Sequence, residues 1–390
     1  MKKKSKLKIF FGIILLILGI TSIGLGINFN TVFKSEQKVI YSDIPRPVVE
    51  ESEASLIMVG DALIHSAIYG SVKNDNYNFK PIFTEVKDLI GNYELAFYNQ
   101  ETILGGKELG LSNYPQFNSP QEVGDAFVDM GFNLVSLATN HTLDNGYYTN
   151  YKTIINSREY WDKQENVIAA GSYISQEQKD AIVVKEVNGI KYGLLAYTTL
   201  TNGLVRPNGK DYYLDVYSEE LVKKDVEKLR DKVDLLMVSM HWGIEYSHSV
   251  SQEQKKIAKY LSSLGVDVVI GTHPQVVEPI EFIDDTLVIY SLGNFVSSQI
   301  GIEKLTGLVA TIDIKKTTVD GKITVELLNP KADLVYTCKP KIYGGACDGY
   351  KVYPYNKLNN TILQNYKSYY TKYMDIVKSL DKNIGTIYSE

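Results

Sequence analysis

The chain has 390 residues, 44% apolar and 11% aromatic, a composition typical of a globular protein and unlike that of a disordered chain. Its formal net charge is −5, and removing the five lysines of residues 1–8 leaves 36 basic against 46 acidic residues, or −10. Such a surface does not attract polyanions, which argues against nucleic acid as a partner and means that an anionic substrate needs a local cationic site or a bound metal.

Residues 1–30 predict a membrane anchor. Residues 9–27 form a run of 19 residues without a charge, close to the roughly 20 needed to cross a bilayer. The preceding lysines predict a single pass with a cytoplasmic N-terminus and an extracellular main domain. A cleaved signal peptide is the alternative, although no A-x-A-like cleavage site follows the run. Residues 31–53 contain two prolines and an acidic run, and we expect them to form a stalk.

From residue 54 onward, apolar runs of strand length alternate with amphipathic helices. Ser119 and Ser251 are each followed three residues later by Glu or Gln, which predicts two capping boxes, and Gly131 and Gly265 are expected to end the two helices. The predicted buried strands are residues 56–59, 95–98, 134–138, 235–240, 266–270 and 287–290.

Two hairpins are predicted from dipeptides that favour tight turns, Asn188-Gly189 and Asp320-Gly321. Their strands are residues 182–187 with 191–197, and residues 308–314 with 322–328. Parallel units combined with hairpins predict a layered α/β domain with mixed sheets, which we place at residues 54–315.

The sequence has only two cysteines, Cys338 and Cys347, and both lie in the region expected to be exported. A disulfide between them and a pair of free thiols are equally open interpretations.

A C-terminal extension, residues 316–390, follows the predicted domain. Its last 60 residues contain ten of the 29 tyrosines. Tyr366, Tyr370 and Tyr373 fall at helical spacing, which favours a helix that packs on the main domain over a platform of rings that stacks on sugars.

Polar side chains follow five of the predicted strands. In open α/β sheets, ligands bind beyond the carboxyl ends of the strands, so these side chains are expected to meet at one edge. Taken singly, a histidine after a strand is more often a hydrogen-bonded loop residue, Asp61 could cap a helix, and Asn140 begins an N-glycosylation pattern. Taken together, the carboxylates, imidazoles and amides predict a site for a divalent cation such as Mn²⁺, Zn²⁺ or Fe²⁺. The set is Asp61 with His65, Asn99 with Glu101, Asn140 with His141, His241 with Glu245, and His273.

Six short motifs follow one another along the chain. They are GDALIH at 60–65, NQE at 99–101, ATNHTLD at 138–144, HWGIE at 241–245, GTHPQ at 271–275 and YSLGNF at 290–295. Together they resemble the ordered motifs of the CapA family of bacterial capsule and poly-γ-glutamate synthesis proteins, and the resemblance extends over residues 56–296.

That family is similar to the calcineurin-like metallophosphoesterases, which implies a four-layer α/β/β/α sandwich with metals at the strand ends. The resemblance implies His141 as general acid or transition-state donor and Glu245 as a further catalytic carboxylate. Asp144 would either orient His141 or cap the next turn. It also implies metal ligands and residues placed around them. The implied ligands are Asp61, Glu101, Asn140, His241 and His273, and the surrounding residues are His65, Asn99, Gln275 and Asn294.

Two departures from the phosphoesterase pattern bear on the number of metals. His65 lies four residues after Asp61 instead of forming an Asp-x-His pair, and Gln275 stands where a His-x-His pair would end. Each departure removes an imidazole, so a site with two ions, with one ion or with none remains open.

Three functions follow from the resemblance and the predicted anchor. The first is a membrane-anchored component of a polymer synthesis complex that handles an anionic cell-envelope polymer, such as poly-γ-glutamate, or a glycan. The second is an extracellular metal-dependent phosphoesterase. The third is a polymer-binding module without catalytic activity, and the sequence leaves open whether the protein is an enzyme.

Overall fold

Two β-sheets form the centre of the fold in the computed structural model, which describes residues 48–388. The strands of these residues are β1 Val49–Ala62, β2 Leu95–Asn99, β3 Leu134–Ser136, β4 Ile168–Ala170, β5 Lys185–Val187, β6 Ile190–Thr198, β7 Leu235–His241, β8 Val268–Thr272, β9 Ile280–Ile283, β10 Thr286–Ile289, β11 Asn294–Val296, β12 Thr306–Val319, β13 Lys322–Cys338, β14 Lys351–Pro354 and β15 Gly385–Thr386. The α-helices are α1 Ser66–Ser71, α2 Lys87–Gly91, α3 Glu122–Met130, α4 Lys152–Asp162, α5 Gln176–Asp180, α6 Glu219–Leu229, α7 Gln252–Ser263, α8 Ile302–Leu305 and α9 Tyr366–Val377.

The two sheets are both mixed. The larger has the order β14-β13-β12-β1-β2-β3-β4, with β11 added beside β1 and β15 beside β13. The smaller has the order β5-β6-β7-β8-β10-β9. The strands β1 to β4 are parallel, as are β6, β7, β8 and β10, so the carboxyl ends within each set lie at one edge of their sheet.

Strand alternation divides the apolar residues among three cores, because successive side chains point to opposite faces of a sheet. Leu56 and Met58 of β1 belong to a central core that also contains Leu235 and Met237 of β7. The alternate residues of β1 pack with α3 and α4, and those of β7 pack with α6 and α7. Three cores separate four layers in the order helix, sheet, sheet, helix.

The predicted strands and both predicted hairpins are present, although the strand predicted at residues 182–187 begins only at Lys185, and mixed α/β sheets are confirmed. Asn188 and Asp320 both adopt positive φ at the hairpin turns. The Ser251 capping box is also confirmed, since its side chain accepts from the backbone N–H of Gln254 and the Gln254 side chain accepts from Ser251 N–H.

The prediction of a capping box at Ser119 is wrong. Helix α3 begins at Glu122, and its N-terminus has no side-chain cap. The Ser119 hydroxyl instead donates to Thr102 Oγ1 at 2.9 Å, a contact with another segment that local sequence does not reveal. Gly131 ends the helix as predicted, with φ of 109°.

The predicted domain limits differ from the structure at both ends. Strand β1 begins at Val49 and pairs with β12 from its first residue, so the last residues of the predicted stalk belong to the sheet. At the other end, β12 and β13 form one long hairpin across the predicted limit at residue 315. The C-terminal extension is therefore part of the same compact unit as the main domain.

Helix α9 lies where the tyrosine spacing predicts a helix, and Tyr373 is buried in the central core while Tyr366 and Tyr370 are half-buried against it. Cys338 and Cys347 form a disulfide. The predicted anchor falls outside the described residues. Within residues 48–388, no helix has both the length and the apolar character to cross a membrane.

Candidate functional site

The five predicted strand-end positions meet where the carboxyl ends of the two sheets face each other. In the larger sheet, Asp61 pairs with Asn99 across β1 and β2. In the smaller sheet, His241 at the end of β7 pairs with Thr272 at the end of β8. Hydrogen bonds that join Asp61 to His273, and Asn140 to His241, link the two sheets at this point.

Asp61 is fully buried and is held from two sides. Asn99 Nδ2 donates to its Oδ1 at 2.7 Å, and the backbone N–H of His273 donates to its Oδ2 at 3.2 Å. The preceding Gly60 permits this position, because a Cβ there would lie 1.8 Å from the carbonyl oxygen of Gly293. Burial raises the pKa of Asp61 to about 7, although both hydrogen bonds oppose that rise.

Glu101 is the second buried carboxylate. Its Oε1 accepts from Gln275 Nε2 at 3.4 Å, while its Oε2 is buried without a hydrogen-bond partner. Burial raises the pKa of Glu101 well above its ordinary value, and the nearby carboxylates of Asp61 and Glu245 raise it further. An unpartnered buried carboxylate oxygen is costly unless a cation or a proton occupies it.

Asn140, His241 and His273 form a second group of side chains, next to the carboxylates of the site. His241 Nε2 lies 2.9 Å from Asn140 Oδ1, and His241 Nδ1 lies 2.9 Å from Thr272 Oγ1. The His273 ring is 4.8 Å from that of His241, and its Nδ1 is buried without a partner. Burial lowers the pKa of His241 well below its ordinary value and that of His273 to about 4, so both rings are neutral.

The loop that carries His273 has a strained backbone. His273 has φ of 94° and Gln275 has φ of 59°, a region that non-glycine residues rarely adopt. This conformation directs the His273 N–H to Asp61. Asn294 holds the same loop, since its Nδ2 lies 3.3 Å from the Gln275 carbonyl oxygen.

His141 and Asp144 form a hydrogen-bonded pair beside the carboxylates. His141 Nδ1 lies 2.6 Å from Asp144 Oδ2, which also accepts from the backbone N–H of Phe117 at 2.7 Å. The Phe117 ring meets the His141 ring edge-on at 4.8 Å. These contacts fix the imidazole and leave its Nε2 as the nitrogen available to a substrate. The hydrogen bond to Asp144 assigns the proton of the neutral ring to Nδ1.

A cleft of about 500 Å³ opens over these residues. His141, Asn140, Glu245 and Gln275 line it, and the exposed Tyr114 stands at its rim. Among the described residues that line the cleft, there is no lysine or arginine. The lining is therefore acidic and amide-rich.

The remaining predicted residues all lie at the site, but they contact protein groups. His65 lines the cleft with its Nδ1 3.1 Å from the Leu63 carbonyl oxygen, and burial lowers its pKa to about 4. Gln275 Nε2 donates to Glu245 Oε1 at 3.3 Å. The structure thus gives Asn294 and Gln275 roles in holding loops and carboxylates.

Three participants were not predicted. Thr272 contacts His241, Phe117 orients the His141–Asp144 pair, and Gln299 donates to the side chain of Gln275. Thr272 lies inside the GTHPQ motif at residues 271–275, so the sequence contained a signal for it. Phe117 acts through its backbone and Gln299 lies on a distant loop, and neither has a signal in the sequence.

The donor set has the chemistry of a divalent cation site, with carboxylate and amide oxygens and neutral imidazole nitrogens. The unpartnered Glu101 Oε2 and His273 Nδ1 fit such an ion. Between residues 48 and 388, however, no group of three or more His, Cys, Asp or Glu side chains is arranged to hold a metal ion. Asn140 and His241 bond to each other, which occupies two of the donors.

Residues 55–299 match the protein family described as bacterial capsule synthesis protein PGA_cap. The chain is 28% identical over 222 residues to the PGA biosynthesis protein CapA of Bacillus subtilis, which covers 56% of each chain. It is 26% identical over 263 residues to the capsule biosynthesis protein CapA of Bacillus anthracis, covering 64% of this chain and 61% of that one. The chain thus spans about three-fifths of the length of the curated relatives it matches.

Solved structures with some similarity include calcineurin-like phosphoesterase YfkN from Bacillus subtilis, at 12% identity and a TM-score of 0.43, covering 83% of this chain and all of that one. GAP50, the anchor in the inner membrane complex of Plasmodium, has 13% identity and a TM-score of 0.39, covering 72% of this chain and 90% of that one. With TM-scores this low, neither similarity carries an argument about function.

Proposed function

Because the chain belongs to the bacterial capsule synthesis protein family, we propose that it acts in the assembly of a capsule or of poly-γ-glutamate, through a hydrolytic site that requires a divalent cation. The names of both CapA relatives, which refer to biosynthesis of PGA and of a capsule, support a role in polymer assembly. The lysine-flanked apolar run supports a membrane-anchored protein with its main domain outside the cell, close to a membrane-bound polymer synthesis complex.

One observation carries the hydrolytic part of the proposal. Buried acids and neutral imidazoles gather behind Asn140 and Gln275, which line an open cleft together with the fixed His141–Asp144 pair. Burying these groups together costs folding free energy, and perturbed titratable groups of this kind cluster at functional sites. A purely structural core gains nothing from an unpartnered carboxylate oxygen at Glu101.

Asp61, Glu101, Asn140, His241 and His273 would hold the cation. When bound, a divalent cation polarises a phosphoryl oxygen and lowers the pKa of a water molecule. The low pKa values of both histidines keep the rings neutral, as metal ligands must be. His273 Nδ1 has no partner, and a cation on His241 Nε2 would replace the contact of that nitrogen with Asn140. The contact from Thr272 Oγ1 to His241 Nδ1 orients that ring, and the backbone N–H of His273 orients Asp61.

His141 would donate a proton to the leaving group from Nε2, since Asp144 holds Nδ1. Asp144 therefore positions the ring and stabilises its charged form. Glu245 lines the cleft and accepts from Gln275, which places a second carboxylate where it can orient a substrate hydroxyl or water.

A phosphate ester of the polymer or of its precursor is the substrate class that suits this site. The cleft offers aromatic and amide groups for the uncharged part of such a molecule. Since the lining has no lysine or arginine among the described residues, the cation is the group that would attract the phosphate.

The test uses full-length protein stripped of metal and then titrated with Mn²⁺ or Zn²⁺, with hydrolysis of a chromogenic phosphodiester as the readout. We expect tight binding of cation and cation-dependent turnover. His141→Ala should keep cation binding and lower turnover by roughly 10² to 10⁴-fold. Equal loss of both would make His141 a ligand.

His248→Ala is a matched control, because His248 contacts the Val277 carbonyl oxygen and is not among the described cleft-lining residues. This substitution should change neither cation binding nor turnover. Cation binding without turnover of any phosphate ester would leave a binding module, and absence of both would refute the proposal.

A further inference from the structure

A second pocket, of about 570 Å³, lies in the C-terminal region, outside the residues that match the family. Three separate elements build its walls. Helix α9 contributes Tyr366 and Tyr370, the C-terminal residues contribute Tyr388, and Asp333 of β13 lies among them. Strand β15 pairs with β13 beside Asp333, which carries the chain to Tyr388.

Aromatic rings dominate this pocket. Tyr355 is buried, with its hydroxyl 2.8 Å from Thr306 Oγ1 and its ring 5.9 Å from that of Tyr370. Tyr366, Tyr370 and Tyr388 are half-buried, so parts of their surfaces remain open to the pocket. Rings fixed in this way offer flat apolar faces without losing side-chain entropy on binding.

The polar groups of the pocket are few, and their charges balance. Asp333 is 2% exposed, and it accepts from the backbone N–H groups of Leu334 at 2.8 Å and Tyr388 at 3.4 Å. The Tyr370 side chain is a further hydrogen-bond partner of this carboxylate. A carboxylate has about four acceptor sites, so about one remains for a ligand hydroxyl. Lys367, Thr371 and the exposed Asn356 complete the polar lining. One acid and one base leave no net attraction for a polyanion.

We propose that this pocket binds an uncharged saccharide unit of a cell-envelope glycan. A pyranose ring has apolar C–H faces that fit on tyrosine rings and equatorial hydroxyls that bond to carboxylates and amides. The site lies apart from the cation cleft, since the two pockets share no lining residue among those described. It would hold the polymer or its acceptor on the protein while the cleft acts.

The experiment uses the full-length chain in lipid nanodiscs, because sugar-headed detergents would compete for the pocket. Short oligomers of N-acetylglucosamine and of γ-linked glutamate are the probes, measured by calorimetry and by saturation-transfer NMR. We expect the saccharide to bind and the glutamate oligomer not to bind. Tyr366→Ala and Tyr370→Ala should each weaken saccharide binding by about tenfold.

Tyr369→Ala is the matched control, since Tyr369 lies on the same helix and stacks on Tyr373 outside the pocket lining. It should leave the affinity within about twofold of wild type, as no stacking face in the pocket is lost. Asn356→Ala removes an exposed polar group of the lining without disturbing the core, and it should also weaken saccharide binding.

His141→Ala should bind saccharide like the wild type, which separates this proposal from the hydrolytic one. Three outcomes overturn it: no saccharide signal from folded wild-type protein, equal affinity in the Tyr366, Tyr370 and Tyr369 variants, or tighter binding of the glutamate oligomer.

Discussion

Without metal, the stability of Asp61→Asn relative to wild type should increase as the pH rises, because the wild type loses stability, and the variant should bind cations more weakly. Burial raises the pKa of Asp61 from 3.8 to about 7. The folded state therefore binds a proton that the unfolded state has already lost between these pH values. The stability associated with that proton is complete below about pH 4 and is lost as the pH rises through 7.

The size of the effect follows from the same two pKa values. Their difference corresponds to on the order of 4 kcal/mol of unfolding free energy lost by the wild type between about pH 4 and 8. The variant does not titrate at this position, so its stability relative to wild type should rise by a comparable amount. Removing the Asp61 charge also eases the ionisation of Glu101, which acts in the same direction.

The substitution has a cost that does not depend on pH. Asp61 accepts from both Asn99 and the backbone of His273, and an amide can satisfy only one of these donors while its NH₂ faces the other. The informative quantity is therefore the change in the stability difference with pH and not its value at one pH.

Denaturant unfolding in chelator at about pH 4 and pH 8 measures this change, and the same experiment with Mn²⁺ measures how cation binding is linked to stability. Mn²⁺ should raise the stability of the wild type much more than that of Asp61→Asn. Thr318→Ala, an exchange on the outer hairpin, controls for general effects and should show no pH-dependent difference. A stability difference that stays constant between the two pH values would refute the reasoning.

Three further predictions follow from particular residues. Gln275→His should supply an imidazole beside Glu101 and raise the number of cations bound, as counted by calorimetric titration. Burial raises the pKa of Glu278 to about 8, so Glu278→Gln should stabilise the protein above about pH 8 and lose that advantage near pH 4, as measured by unfolding. Protease added to intact cells should remove the main domain and spare a small membrane-held fragment, because the lysine-flanked run predicts an outside location; full protection would contradict it.

Much of the fold follows from short-range patterns in the sequence. The apolar run at residues 56–59 predicts β1, and strand alternation then assigns Leu56 and Met58 to one core and Ile57 and Val59 to another. Strand β4 has only three residues, which is too short for its pattern to separate it from a loop. The Ser119 interpretation failed for a different reason, since its partner Thr102 lies 17 residues away.

The candidate site shows the same limit. Residue types at strand ends predict which side chains gather, because parallel strands carry them to one edge. They do not predict which atoms face each other. The contact between Asn140 and His241, 101 residues apart, depends on how the two sheets pack. Positive φ at His273 and Gln275 is likewise imposed by the fold, since neither residue type favours it as glycine does.

The charge of the cleft ties the cation to the choice of substrate. The acids Asp144 and Glu245 line the cleft. Asp61 and Glu101 are buried behind them, and burial raises the pKa of both, so a bound cation would take the place of their protons. His241 and His273 have lowered pKa values and are neutral. With no lysine or arginine among the described lining residues, an anionic polymer would meet repulsion at the cleft until a cation offsets it. Cation binding and capture of an anionic substrate should therefore be coupled, each strengthening the other by the same factor. A neutral saccharide in the tyrosine-lined pocket is free of that constraint, so its binding should not depend on the cation.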